Sequence, residues 1–422
     1  MSAAGLSPAR RRPAAAALLL ARTVYAFNWY NVGAVLPLVG QTLGASTAEL
    51  GIVLGAFLAG AGIFQVPAGL AALRWGNRAV SIAALAVMGA CCLASAAAPS
   101  WPVLAALRFG AGAGAAFFFA PALGLFASYY PEGHRGPRVG LFNSGFSVGS
   151  GVGLFAGAAI GVEFGWPWAL AIGGAMLLLL AAIAPRLLPR VDRAPAGARP
   201  SGAWRAARPV LGSPAVWALA LASTGLWAAF YEAAQYFVQF AHAVHPGWSL
   251  ALAAGLPTLM IVFEIPSGPF GGWLGERGVG LRPLLLGTGI ATVGLVLAIP
   301  WLPIAGMLVV FPLLGVLDGV MWAVIYLLPT YLPDTRGSGV SLGLGLLNAI
   351  NIFGGSGLAI AFGFIAGTAG FPAAWLFAGI AAAAPLPLLL GFRDPRPPAE
   401  PARRALRPGA ATDAAPAESR RA

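Results

Sequence analysis

The sequence predicts an all-α membrane protein with twelve transmembrane helices in two pseudo-symmetric six-helix bundles. Three observations carry this expectation: apolar runs long enough to cross a bilayer, arginines confined to alternate loops, and motifs that recur between the two halves of the chain.

Hydrophobic residues make up 59% of the 422 residues and charged residues only 9%, with a mean hydropathy of +0.81. A soluble domain needs about 25% charged residues to cover its surface. Most apolar runs here exceed about 20 residues, the length a helix needs to cross about 30 Å of hydrocarbon. Short strands with a dyad repeat are absent, so a membrane β-barrel is not expected. The spans fall near 14–40, 47–72, 79–98, 102–128, 139–162, 166–188, 214–241, 249–272, 282–300, 303–328, 338–366 and 371–391; they are numbered 1 to 12 below. Arg10, Arg11 and Arg12 before an Ala/Leu stretch resemble a signal peptide. The run continues through Tyr25, Trp29 and Leu36 without a cleavage site, so it reads as a retained first span.

Arginine placement tests the count. Starting inside, the cytoplasmic segments hold Arg10 to Arg12, Arg74 and Arg78, Arg135 and Arg138, Arg186 through Arg208, Arg277 and Arg282, Arg336, and the tail from Arg393. The outer connections around Gly44, Pro99, Gly165, His245, Trp301 and Thr368 contain none. This asymmetry places both termini in the cytoplasm of a bacterial inner-membrane protein. It divides the chain into an N-terminus 1–13, a bundle 14–188, a linker 189–213, a bundle 214–392 and a disordered tail 393–422.

The net charge of +12 does not point to nucleic acid, because the arginines lie between apolar runs and form no basic, aromatic-interleaved surface. Cys91 and Cys92 are adjacent in an apolar run and read as small buried hydrophobes. No cofactor and no metal are expected: His242 and His245 stand three apart with no further ligand nearby.

The halves repeat. Phe64-Gln-Val-Pro67-Ala-Gly69 in span 2 matches Phe263-Glu-Ile-Pro266-Ser-Gly268 in span 8, 199 residues later, and the same offset carries Gly76 and Arg78 onto Gly275 and Arg277. Tyr129-Tyr-Pro131-Glu132 after span 4 matches Tyr331-Leu-Pro333-Asp334 after span 10. Parallel six-helix repeats imply a pseudo-two-fold axis along the membrane normal, with a site between the halves.

On these features the sequence resembles the major facilitator superfamily over nearly its whole length. That family's loop motif appears as Gly69-Leu-Ala-Ala-Leu73-Arg74-Trp-Gly76-Asn77-Arg78, with Leu73 at the acidic position. The second copy, Gly272-Trp-Leu-Gly-Glu276-Arg277, keeps the acid and base. Arg108-Phe-Gly-Ala-Gly112-Ala-Gly114 resembles the fourth-span motif, whereas the fifth-span Gly-Pro motif of many drug/proton antiporters is missing. The resemblance implies that spans 1, 4, 7 and 10 line a central cavity, and that the loop residues Arg74, Gly76, Arg78, Glu276 and Arg277 serve gating.

Charge inside a bilayer costs about 2.5–3.5 kcal/mol per residue at a helix centre. The intramembrane charges are Arg22, Arg108, Glu232, Glu264 and Asp318. In span 7, Glu232, Gln235, Gln239 and His242 form a polar stripe beside Trp227 and Tyr231. The stripe either lines a binding site or hydrogen-bonds to neighbouring helices. In span 10, Asp318 and Trp322 share a face; in span 1, Arg22, Tyr25 and Asn28 are about a turn apart. The candidate substrate-binding set is therefore Tyr25, Asn28, Arg108, Trp227, Tyr231, Gln235 and Trp322, with Asp318 and Glu232 as proton-coupling acids. Arg108 either pairs with Glu232 or binds an anionic group. Glu264, near Pro266 and the Glu276 loop, is assigned to gating.

The expected function is secondary transport of a small organic solute, with protons as a second partner and the bilayer as solvent for a monomer. Efflux of a drug or metabolite is the alternative within the class. A membrane-embedded enzyme or a sensor is disfavoured: the chain has no His-Glu-x-x-His helix and no soluble output domain.

Overall fold

The computed structural model describes residues 7–130, 135–190, 208–276, 280–328 and 338–391. Arg277, most of the linker and the tail lie outside the described residues, as do Tyr331 to Asp334. Among the described residues, ten helices and one bent pair are long and apolar enough to cross a membrane. The first helix, Pro8–Leu43, has 36 residues and supplies the twelfth span by length. Arg22, Asn28 and Asn31 dilute its apolar character, because their side chains turn into protein and not toward lipid.

Span 2 is the bent pair, Thr47–Ile63 and Gln65–Trp75, with 44° between its parts. Pro67 sits in the first turn of the second part, where it cannot donate to the Ile63 carbonyl, and the ladder breaks at that point. At the start of the pair, Ser46 and Glu49 form a capping box: Ser46 N–H donates to Glu49 Oε2 at 2.7 Å and Glu49 N–H to Ser46 Oγ at 3.3 Å. At its end, Gly76 has φ 82°, a conformation that stops the helix and lets Asn77–Ser95 (span 3) start at once.

The remaining spans are Trp101–Ser128, Arg135–Phe164 and Trp166–Leu187 in the first half, then Pro214–Gln235 continued by Phe237–Val244 as span 7. Leu250–Glu276, Leu281–Ala298, Ile304–Leu327, Ser338–Ala369 and Phe371–Ala383 complete the second half. Span 1 packs on span 5, span 2 on span 4 and span 3 on span 6; spans 7 and 11, 8 and 10, and 9 and 12 repeat the pattern. Two crossings of equivalent position are closed by glycine. A Cβ on Gly112 in span 4 would strike the Phe57 carbonyl oxygen of span 2, and one on Gly315 in span 10 would strike that of Met260 in span 8.

The outward faces of the peripheral spans carry large exposed apolar side chains: Val87 in span 3, Leu179 in span 6, Ile290 in span 9 and Ile380 in span 12. On a protein with this hydropathy such a belt is the lipid surface. The two halves meet along spans 2 and 11, and again along the symmetry-related pair 5 and 8. The candidate functional site lies between these two contacts.

Candidate functional site

A cavity of about 460 Å³ separates the halves. From the first half come Arg22, Tyr25 and Trp29 of span 1, Phe119 of span 4, and Asn143 and Ser147 of span 5. Facing them are Trp227 of span 7, Glu264 of span 8, Asp318, Trp322 and Tyr326 of span 10, and Asn348 of span 11. The wall residues of spans 1, 5, 8 and 10 lie mostly in the part of each helix nearer the arginine-bearing loops. The cavity therefore opens toward that end of the bundle.

Asp318 is 4% exposed and its Oδ1 has no hydrogen-bond partner. Trp322, one turn on, lines the same wall and stacks on Tyr326 at 5.2 Å between centroids. Glu264 is the second acid of this wall and lies within electrostatic reach of Asp318. Ser147 Oγ donates to Glu264 Oε1 at 3.4 Å, a contact between the two halves. Sequence position alone associates Glu264 with the Glu276 loop; the structure puts its carboxylate on the cavity wall instead. The fold explains why, since a helix of 27 residues holds Glu264 about 18 Å of rise from Glu276.

The other end of the interface is closed. Gln235 Nε2 donates to the Trp29 carbonyl at 2.7 Å, Gln239 Nε2 to Thr47 Oγ1 at 3.3 Å, and His242 Nε2 shares a 3.0 Å hydrogen bond with Gln41 Nε2. Ser356 Oγ of span 11 donates to the Gly55 carbonyl of span 2 at 2.8 Å. Beside it Gly51 and Gly363 bring their backbones together, and a Cβ on Gly51 would stand 2.9 Å from Gly363 Cα. Three of the four residues of the span 7 stripe are thus hydrogen bonds between halves, the second of its two sequence readings.

The remaining candidates are placed as follows. Tyr25, Trp227, Trp322 and Asp318 line the cavity. Tyr231 stacks on Trp227 at 5.5 Å and is 1% exposed, behind the wall. Asn28 donates to the Val24 carbonyl at 2.8 Å and packs toward Gly173 of span 6. Arg108 is 1% exposed, donates through Nη1 to the Asn28 carbonyl at 3.2 Å, and lies 4.2 Å from the Phe57 ring centroid. Of the two readings of Arg108, the pair with Glu232 does not form: among the described residues neither Glu232 oxygen has a hydrogen-bond partner, and Arg108 Nε and Nη2 have none either. The reason is rotational. On a helix with 100° per residue, Glu232 shares its face with Gly225 and Tyr236, which pack on spans 12 and 11, not on span 4.

In the loop motif, Arg78 Nε donates to the Leu188 carbonyl and Nη2 to the Pro185 carbonyl, both at 2.7 Å, tying the start of span 3 to the end of span 6. The Arg74 guanidinium lies 5.3 Å from the Trp75 ring centroid, and Leu73 is exposed. The side chain of Glu276, like Arg277, lies outside the described residues. Cys91 is partly exposed and Cys92 buried, both as free thiols. Arg22, Trp29, Asn143, Ser147 and Tyr326 belong to the wall and were not among the sequence-derived site residues. A signal for two of them existed: Arg22 and Trp29 are seven apart and so share one helical face, whereas Asn28 is rotated well away from it.

The model of the Major Facilitator Superfamily matches residues 18–344. The chain is 34% identical over 162 residues to the 4-hydroxybenzoate transporter PcaK of Pseudomonas putida, covering 38% of this chain and 36% of that protein. It is 31% identical over 179 residues to a gallate transporter of Pseudomonas putida, covering 42% and 40%. The chain thus spans well under half the length of these curated relatives. Its fold is similar to the crystal structure of a bacterial homologue of the human lysosomal transporter Spinster, in an inward-facing and occupied conformation. That likeness has a TM-score of 0.74 and 18% identity, over 91% of this chain and 97% of the other. A match over this much of the chain, on an all-helical fold whose halves repeat the same helix pairing, makes the protein a member of the Major Facilitator Superfamily.

Proposed function

We propose that this protein is a secondary transporter that carries a small organic solute by alternating access, in symport with protons. It works as a monomer in a bacterial inner membrane, with both termini in the cytoplasm. The observation that carries the reading is a cavity between the halves, open at one end, sealed at the other, with a buried carboxylate on its wall. Secondary transporters place substrate and coupling-ion sites near the midplane at a repeat interface. The relatives named for 4-hydroxybenzoate and gallate transport support an organic acid as the solute.

Within this reading Asp318 holds the coupling proton, because its neutral form avoids the cost of burying a charge while its charged form needs the open cavity. Glu232, the other candidate acid, is buried away from the cavity and takes no part in substrate contact. Tyr25, Trp227 and Trp322 pack on the solute, and Tyr231, Asn28, Arg108 and Gln235 hold that wall in place. The loop residues Arg74, Gly76, Arg78, Glu276 and Arg277 brace the helix ends that rock.

The test is uptake into proteoliposomes of a panel of radiolabelled aromatic and short aliphatic organic acids, with the outside made acidic. At least one acid should accumulate above its equilibrium level and leak back when a protonophore is added. Equilibration of an acid with no concentration under any gradient would contradict symport, and no movement of any solute would contradict transport.

A further inference from the structure

Arg22 borders the cavity at 6% exposure, and its Nε and Nη1 are buried with no hydrogen-bond partner. Its Cζ stands 4.4 Å from the Phe119 ring centroid, 4.5 Å from Phe146, 4.8 Å from Tyr25 and 5.5 Å from Phe142. Its polar neighbours are phenols, Tyr25 beside it and Tyr326 from the other half. A guanidinium does not give up its proton in a protein, so the charge persists. Ring faces attract a cation but accept no strong hydrogen bond, so the cage holds the guanidinium in place without satisfying its donors.

Arg108, the other deeply buried arginine, shows what a structural role looks like. It donates to a backbone carbonyl and packs against a ring of its own half, off the cavity wall. Among the described residues Arg22 has neither a carbonyl nor a carboxylate as hydrogen-bond partner, and it faces the cavity. Across that space Trp227 and Trp322 present flat rings, and Asp318 and Glu264 stand on the far wall. A volume of about 460 Å³ is at the small end for a ligand pocket.

We infer that Arg22 is the anion-binding group of the cavity, taking the carboxylate or sulfonate of a small substrate whose flat apolar body lies among Tyr25, Phe146, Trp227 and Trp322. The inference rests on the transport reading and names its substrate class. Arginine suits the task because its planar donors match a planar or trigonal oxyanion, which a lysine ammonium does not.

The experiment is calorimetric titration of the purified full-length protein with benzoate, benzenesulfonate, benzyl alcohol and inorganic phosphate. At least one of the two aromatic oxyanions binds, and the tighter one identifies the headgroup. Benzyl alcohol binds about tenfold or more weaker, since it cannot satisfy the guanidinium, and phosphate lacks the apolar body. Arg22→Gln loses about tenfold or more for the oxyanion and keeps the wild-type affinity for benzyl alcohol; Arg22→Lys falls between. A monodisperse Arg22→Gln protein that binds benzoate and benzenesulfonate as the wild type does would overturn the site. If Arg22→Gln cannot be purified, the wild type decides: benzyl alcohol binding as tightly as both oxyanions, or neither oxyanion binding, overturns it equally. Titration needs no gradient, so Arg22-dependent binding with no proton-driven uptake sinks only the coupling. Uptake that persists alongside Arg22-independent binding sinks only this site.

Discussion

The two ends of the interface between halves are built from different chemistry. At the arginine-free end the halves touch through backbone at Gly51 and Gly363 and through the side-chain hydrogen bonds of Gln235, Gln239, His242 and Ser356. At the arginine-rich end they stand apart around aromatic rings and charged groups, joined there by the single long Ser147–Glu264 hydrogen bond among those described. Each seam bond contributes about 1 kcal/mol net. A two-state equilibrium moves from one side to the other on about 5.5 kcal/mol. A handful of neutral hydrogen bonds is therefore of the right size to close a gate and still let it open. Burying Arg22, Glu264 and Asp318 in a dry contact would cost far more, so the charged groups sit where water and solute enter.

The largest effect should come from Gly51. A leucine there cannot be placed against Gly363 Cα, so the seam cannot close. Gly51→Leu should lower uptake by more than about tenfold while the purified protein remains monodisperse. Wild-type uptake would show that this contact is not part of the transport cycle.

A smaller effect sharpens the same comparison. Gln235→Leu removes the donor to the Trp29 carbonyl and should raise the population open at the arginine-free end about fivefold, the equivalent of about 1 kcal/mol. Spin labels at Thr42 and Ser249, one on each half, report the opening as a longer distance. An unchanged distance distribution would mean that the bond does not hold the seam.

Much of this architecture was legible in the sequence. Span length, arginine asymmetry and the Pro67/Pro266 repeat follow from the bilayer's thickness and the chain's own internal symmetry. Asp318, Trp322 and Tyr25, which line the cavity, were legible as inward-facing residues because a polar or amphipathic side chain in an apolar span must face protein. What one sequence does not encode is which protein surface it faces. A transmembrane helix is apolar on its lipid side and on its packed side alike, so periodicity does not fix its rotation. The span 7 stripe shows the consequence: Gln235 and Gln239 close a seam, while Glu232, three residues from Gln235, turns into its own half. For the same reason the sequence puts Arg108 in the substrate set and leaves Arg22 out, whereas packing places Arg22 on the cavity wall and Arg108 in the interior of its bundle.

The central claim is that the proton moves through Asp318 on the cavity wall and not through Glu232, buried inside its own half. Asp318 and Glu232 are similarly hidden, at 4% and 1% exposure, but only Asp318 lines the cavity. The direct measurement compares Asp318→Asn and Glu232→Gln in vesicles loaded with solute, scoring gradient-driven accumulation against solute exchange, which needs no net proton movement. The account requires Asp318→Asn to lose accumulation and keep exchange, with Glu232→Gln retaining both. An Asp318→Asn protein that still concentrates solute with wild-type pH dependence would contradict it.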